Sequence, residues 1–267
     1  MTTEVASVGT SRARRVGYYV VVVAALALVG FGLGELLFIG IVGWLGESAL
    51  EEATEPGAGV HLFHLLGHAL FAWLLLICVA VQLRHPERRF AAAVFALAAM
   101  VAYSLGTLVS GIFDPLEVAA IVLFAVMIWL SPGREIASAL SFHRLALVVS
   151  VPILVGAVVI TIGELNRQVS GMSSDAHVEF GHHGLMAAIA ATIVLAVVIG
   201  SSSLTGRRLV AGLASGSLVY LGAASMLFPD QTSSLGTVGG ALAVIVGFAY
   251  GSMALSRDQA SPKVARS

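Results

Sequence analysis

The segment HLFHLLGHALFAWLLLICVAV (His61–Val81) places three histidines in its first eight residues and follows them with an almost unbroken apolar run. A looser copy, HVEFGHHGLMAAIAATIVLAVV, begins at His177. Six of the eight histidines in the chain stand at the mouths of these two segments. A continuous apolar run of about 20 residues is what an α-helix needs to cross the hydrocarbon core of a bilayer. The runs do not alternate polar with apolar side chains, so they do not read as strands of a transmembrane barrel.

The rest of the chain agrees. Of its 267 residues, 58% are hydrophobic and 11% charged, with a mean hydropathy of +0.96. So few charges cannot furnish the polar shell of a soluble domain. The net charge of −1 offers no basic face for nucleic acid. No phosphate-binding loop, nucleophile elbow or dinucleotide fingerprint is present, which argues against nucleotide-driven work by this chain. Cys78 is the only cysteine, so no intramolecular disulfide can form. Arg12, Arg14 and Arg15 precede a run too long for a cleaved signal, and that run reads as a retained helix.

Eight spans are expected, at Gly17–Ile41, Leu62–Leu83, Phe90–Gly111, Leu116–Leu130, Arg144–Leu165, Gly181–Gly200, Leu209–Phe228 and Leu235–Leu255. Arginines gather at 12–15, 84–89, 134–144 and 207–208, all on one side of such a topology. The acidic segments fall on the other side. An excess of arginine marks the cytoplasmic face, so both termini are expected in the cytoplasm of a cell-membrane protein, with the clustered histidines outside.

The chain also reads as duplicated. GLGELL (Gly32–Leu37) matches TIGELN (Thr161–Asn166), and each is followed by a polar outer loop, a histidine-bearing span and an Arg-Arg inner loop. GIFDP (Gly111–Pro115) closes the first half as MLFPD (Met226–Asp230) closes the second. The expectation is an all-α membrane protein of two tandem four-helix repeats, related by a pseudo-two-fold axis along the membrane normal. The repeats would occupy 16–131 and 144–255. A cytoplasmic arm (1–15), linker (132–143) and tail (256–267) complete the chain. Gly30 with Gly34, and Gly212 with Gly216, have the spacing that lets helices approach closely in lipid.

His61, His64 and His68 share one helix face at i, i+3 and i+7, as Glu179, His182 and His183 do at i, i+3 and i+4. Alignment of the repeats sets His68 against His183 and Glu35 against Glu164. The 1.5 Å rise per residue puts these four groups about 24–30 Å from the inner ends of their helices, near the outer boundary. Ionisable groups inside a span ordinarily face the interior and mark a site. Imidazole and carboxylate together suit transition metals. The candidate ligands are Glu35, His61, His64, His68, Glu164, Glu179, His182 and His183, for Fe, Cu or Zn. One precedent is the di-iron bundle, with a glutamate from each of two helices and Glu-x-x-His from two more. Glu179-x-x-His182 fits that pattern, whereas His61-x-x-His64 departs from it.

In the other arrangement His68 and His183 are axial ligands of one haem. Here the two four-helix halves resemble haem A synthase. That family also places histidines on the fourth span of each half, and neither Leu116–Leu130 nor Leu235–Leu255 has one. The partners implied are the bilayer itself and a lipid-soluble small molecule or a cation, with redox chemistry on the former as the leading expectation. Two alternatives are a cation or proton-coupled transporter and an assembly subunit. Simpler roles also exist for single residues: His61 and His177 as interfacial rings, and Glu164 as the ion-pair partner of Arg167.

Overall fold

The computed structural model describes residues 12–136, 141–142, 144–172 and 175–255. Most of the terminal arm, the C-terminal tail and His143 lie outside them. Among the described residues the regular secondary structure is all helical, apart from an isolated bridge between Phe142 and Ser202. Eleven α-helices follow in order: α1 (Arg12–Gly32), α2 (Gly34–Val42), α3 (Glu47–Ala53), α4 (Leu62–Ala80), α5 (Phe90–Val109), α6 (Pro115–Leu130), α7 (Arg144–Ser170), α8 (Ala176–Glu179), α9 (His182–Gly200), α10 (Arg207–Leu227) and α11 (Gly236–Leu255).

Seven of these segments are long and apolar enough to cross a membrane, and they mark the chain as membrane-spanning. They are α1, the stretch Ala58–Leu83 around α4, α5, Ser150–Ser170 of α7, α9, α10 and α11. The expected fourth span is α6, whose 16 residues reach about 24 Å, short of a core about 30 Å thick. The expected first span is kinked. At Leu33 the backbone leaves helical geometry (φ −121°, ψ 11°) among Gly30, Gly32 and Gly34, although Leu33 N and Leu37 N still donate to carbonyls four residues back.

Helix ends follow local chemistry. Asp114 accepts from Leu116 N at 2.8 Å ahead of Pro115, a cap followed by a residue pre-set for the first turn. Asp175 caps α8 by accepting from His177 N at 2.9 Å. That bond, with a second from the His177 ring, holds the Asp175 carboxyl below the usual carboxylate range. Gly181, at φ +70°, then turns the chain into α9 through a conformation that favours glycine.

Burial separates centre from periphery. Of the spanning windows around α4 and α9, 78% is buried, against 22% in α1 and in Ser150–Ser170, so α4 and α9 form the core. α4 packs on α1, α2 and α5, while α9 packs on α7 and α10. The two groups meet chiefly where α5 crosses α9. That crossing is set by glycine: a Cβ on Gly184 would stand 2.5 Å from the Gly106 carbonyl oxygen. α10 and α11 approach through Gly222 and Gly240 in the same manner. Gly30, Gly34, Gly212 and Gly216 do not serve as the close-approach positions their spacing suggested, because each faces open space. Spacing identifies a small-residue face; only the packing tells which faces meet.

At one end of the bundle, the first turn of α5 meets the Ser201–Gly206 loop, Ala91 N donating to Thr205 O at 2.9 Å. At the opposite end, the first turns of α4 and α9 converge. That convergence places the histidines.

Candidate metal centre

His61 belongs to a 3₁₀ turn (Ala58–His61) that leads into α4, where His64 and His68 follow on one face. His182 and His183 open α9. His177 sits on α8, which Gly181 folds back beside them. The rings of all six crowd together. Centroids of His61 and His182 are 4.6 Å apart, His61 and His177 4.9 Å, and His64 and His177 5.0 Å. His64 stacks on His182 at 5.1 Å, and His68 meets His182 at 6.0 Å. His183 lies 5.9 Å from His64.

Three of these rings form a group of metal-binding geometry. His61, His64 and His182 each present a ligand atom, and these atoms all lie within 4.8 Å of one another. Nδ1 of each of the three is buried without a hydrogen-bond partner among the described residues, as are Nε2 of His68 and of His177. A buried polar atom left unpaired costs free energy, and five in one cluster are exceptional for a folded interior. About 3.3 Å separates nitrogen ligands on a tetrahedral ion with bonds of about 2.0–2.1 Å, so modest ring rotations would close the group on one ion.

Glu164 organises one side of the cluster. Its Oε2 accepts from His183 Nδ1 at 2.6 Å and from Ser233 Oγ at 3.0 Å, while Oε1 accepts from Arg167 at 2.9 Å. Ser233 gives its proton to Glu164, so its oxygen accepts from His64 Nε2, 3.0 Å away. This order of donation assigns the tautomers: His64 carries its proton on Nε2 and leaves Nδ1 as a lone pair, whereas His183 carries its proton on Nδ1. A carboxylate that fixes the tautomer and angle of nearby imidazoles is the usual outer support of a metal site. Ser233 is one of two non-glycine residues at positive φ (+68°) among the described residues, an uncommon conformation at the residue joining Glu164 to His64.

The eight candidate residues therefore separate. His61, His64 and His182 meet; His68 and His183 flank them; Glu164 supports them through hydrogen bonds. Glu35, at the start of α2, and Glu179, at the end of α8, are exposed and outside the ligand group. The register that put Glu179 on one face with His182 and His183 does not exist, because the chain turns at Gly181 between the two helices.

Three participants were not among the sequence candidates. His177 enters by way of the Gly181 turn. Ser233 arrives from the α10–α11 loop, far away in sequence. Gln168 donates to Val178 O at 3.0 Å and accepts from Gly184 N at 3.2 Å, fastening α7 to both histidine-bearing segments. An Asp-x-His cap at Asp175–His177 was the one signal available in the sequence; Ser233 and Gln168 had none. No protein-family model matches the chain, and no curated protein or solved structure is significantly similar to it.

Proposed function

We propose that this protein binds one transition-metal ion through His61, His64 and His182, at the outer end of a membrane-spanning helix bundle. The observation that carries this reading is the trio of unpartnered Nδ1 atoms, on three rings whose ligand atoms lie within 4.8 Å. An all-imidazole donor set suits Zn, Cu or Fe better than hard oxygen-seeking cations. Three protein ligands leave a coordination position open, as catalytic metal sites do. An ion there would polarise an oxygen-bearing group or exchange electrons with it. On this reading the protein acts on a lipid-soluble substrate, with redox chemistry as the leading class. His68, His177 and His183 border the ion, and Glu164 positions His64 and His183.

The contacts between rings speak for a single ion over a haem between His68 and His183. His182 stands 6.0 Å from His68, and His64 stands 5.9 Å from His183, so the space a macrocycle needs is taken up by imidazoles. A transport path is disfavoured by what lies deeper. Below His68, α4 buries Phe71, Leu75 and Cys78, and α9 buries Ile189, Ile193 and Val197.

The accompanying topology is eight spans in a cell membrane, with α6 as a short fourth span and both termini cytoplasmic. Pairwise packing supports the tandem repeat. In the first half α1 touches α4 and α6, and α5 touches α4 and α6; in the second, α7 touches α9 and α11, and α10 touches α9 and α11.

X-ray absorption at the zinc edge of zinc-loaded protein tests the ligand set. The expected spectrum shows three imidazoles at about 2.0–2.1 Å. A shell of oxygen atoms without imidazole scattering would exclude the site. Glu164→Gln keeps an acceptor but loses the charge, and is expected to weaken metal affinity about 10–100-fold in a chelator competition.

A further inference from the structure

The second half of the bundle is more open than the first, whose own cavity among α1, α4, α5 and α6 is about 240 Å³. A cavity of about 440 Å³ lies among α7, α9, α10 and α11, within the range of small-molecule sites. Small residues make the room: Gly156 and Ala157 on α7, Ala190 on α9, Gly239 and Ala243 on α11. In the first half, the large side chains of Phe71, Phe124 and Met127 are fully buried. Interiors are ordinarily close-packed, so an apolar space of this size calls for an occupant.

Two features identify it. Among the described residues Ser233 is the only polar side chain lining the cavity, and it is the residue that joins Glu164 to His64. At the other extreme, Leu242 lines the cavity and is 57% exposed on a surface that also carries Ile245 and Val159. The space therefore runs from the apolar outer wall of the bundle to the edge of the histidine cluster. We infer that it holds a single-chain neutral lipid, its hydrocarbon tail among α7, α9 and α11 and a hydroxyl head donating to the remaining lone pair of Ser233 Oγ, whose own proton goes to Glu164. A carboxylate or phosphate head would face Glu164, whose charge Arg167 already partners, and nothing in the lining would balance it. This inference rests on the proposed metal site and names the substrate class for it; the substrate's oxygen would reach the cluster from the membrane side.

The test uses full-length protein in phosphatidylcholine nanodiscs and a hexadecanol carrying a mid-chain diazirine. Photolabelling is expected on α7 and α11 around Gly156 and Ala243. Unlabelled hexadecanol should compete with it, and hexadecanoate should not. A Cβ at Gly156 meets nothing within 4 Å, so Gly156→Leu can fill the cavity without moving backbone. It should cut labelling about tenfold, as when a side chain displaces about two methylenes of ligand, and leave metal content unchanged. Ala243→Phe, on the opposite wall, provides a second variant if the first fails to fold. Labelling that is indifferent to both variants, or confined to outward residues such as Val159 and Ile245, would overturn the inference. Equal competition by hexadecanoate would overturn the neutral head. Labelling of metal-free His64→Ala protein keeps the two readings apart: the cavity stands if label persists there, whatever the metal result, and falls if metal binds but no label enters.

Discussion

His64→Ala is expected to lower zinc affinity about a thousandfold, measured by competition with a chromogenic chelator on detergent-purified protein. Binding free energies of about 10–16 kcal/mol at structural zinc sites are shared among four ligands, which makes each worth roughly 2.5–4 kcal/mol, and a thousandfold loss lies at the upper end of that range. His64 should be the most sensitive position of the trio because two effects coincide there. Its Nδ1 is a proposed ligand, and its Nε2 is the outermost link of the chain through Ser233 to Glu164. His61→Ala and His182→Ala should approach that loss. His68→Ala and His177→Ala, whose rings border the trio without belonging to it, should lose far less. Unchanged helix content in each variant would show that ligation and not folding has been removed. Retention of wild-type affinity by His64→Ala would rule out the assigned ligand set.

The second large effect concerns stability. Gly184→Ala gains up to about 1 kcal/mol of helix propensity, so propensity alone predicts a stabilised protein. Packing reverses the sign. The new methyl would lie 2.5 Å from the Gly106 carbonyl oxygen, which is backbone and cannot rotate away, and it would also meet Ser110. Overpacking costs about 1–3 kcal/mol for side chains that can adjust, and here two helices must separate. A net loss of about 2 kcal/mol should lower Tm by about 4–8 °C in a thermal melt. The α5–α9 crossing also aims His182 and His183, so metal affinity should fall as well. Gly212→Ala, facing open space on α10, supplies the control and should leave Tm unchanged or raise it. If both variants melt alike, glycine contact does not set the crossing.

What the sequence disclosed, and what it withheld, follows from how far each interaction reaches along the chain. Long apolar runs announce spanning helices by length alone, and the histidines within them are conspicuous because ionisable groups are scarce there. The cluster at the first turns of α4 and α9 was legible for that reason. Glu35 and Glu164 looked equivalent because each is the middle residue of a Gly-Glu-Leu segment. Yet the first segment kinks at Leu33 and leaves Glu35 exposed, while α7 continues unbroken past Glu164 and buries it against His183. The Glu179 register failed at a single residue, Gly181, whose left-handed conformation periodicity cannot register. Ser233 and Gln168 act through contacts between separate helices, and no local pattern marks a residue for such a role. The cavity was hidden for a related reason: alanine and glycine on three helices become a void only when those helices face one another.

The most direct test of the metal site is elemental analysis by inductively coupled plasma mass spectrometry, on protein purified without a histidine tag or metal-affinity resin. About one equivalent of zinc, copper or iron per chain is expected, lost in His64→Ala and kept in Gly156→Leu. Folded wild-type protein that carries no such metal, and takes none up when zinc, copper and iron are supplied, would contradict the proposed site.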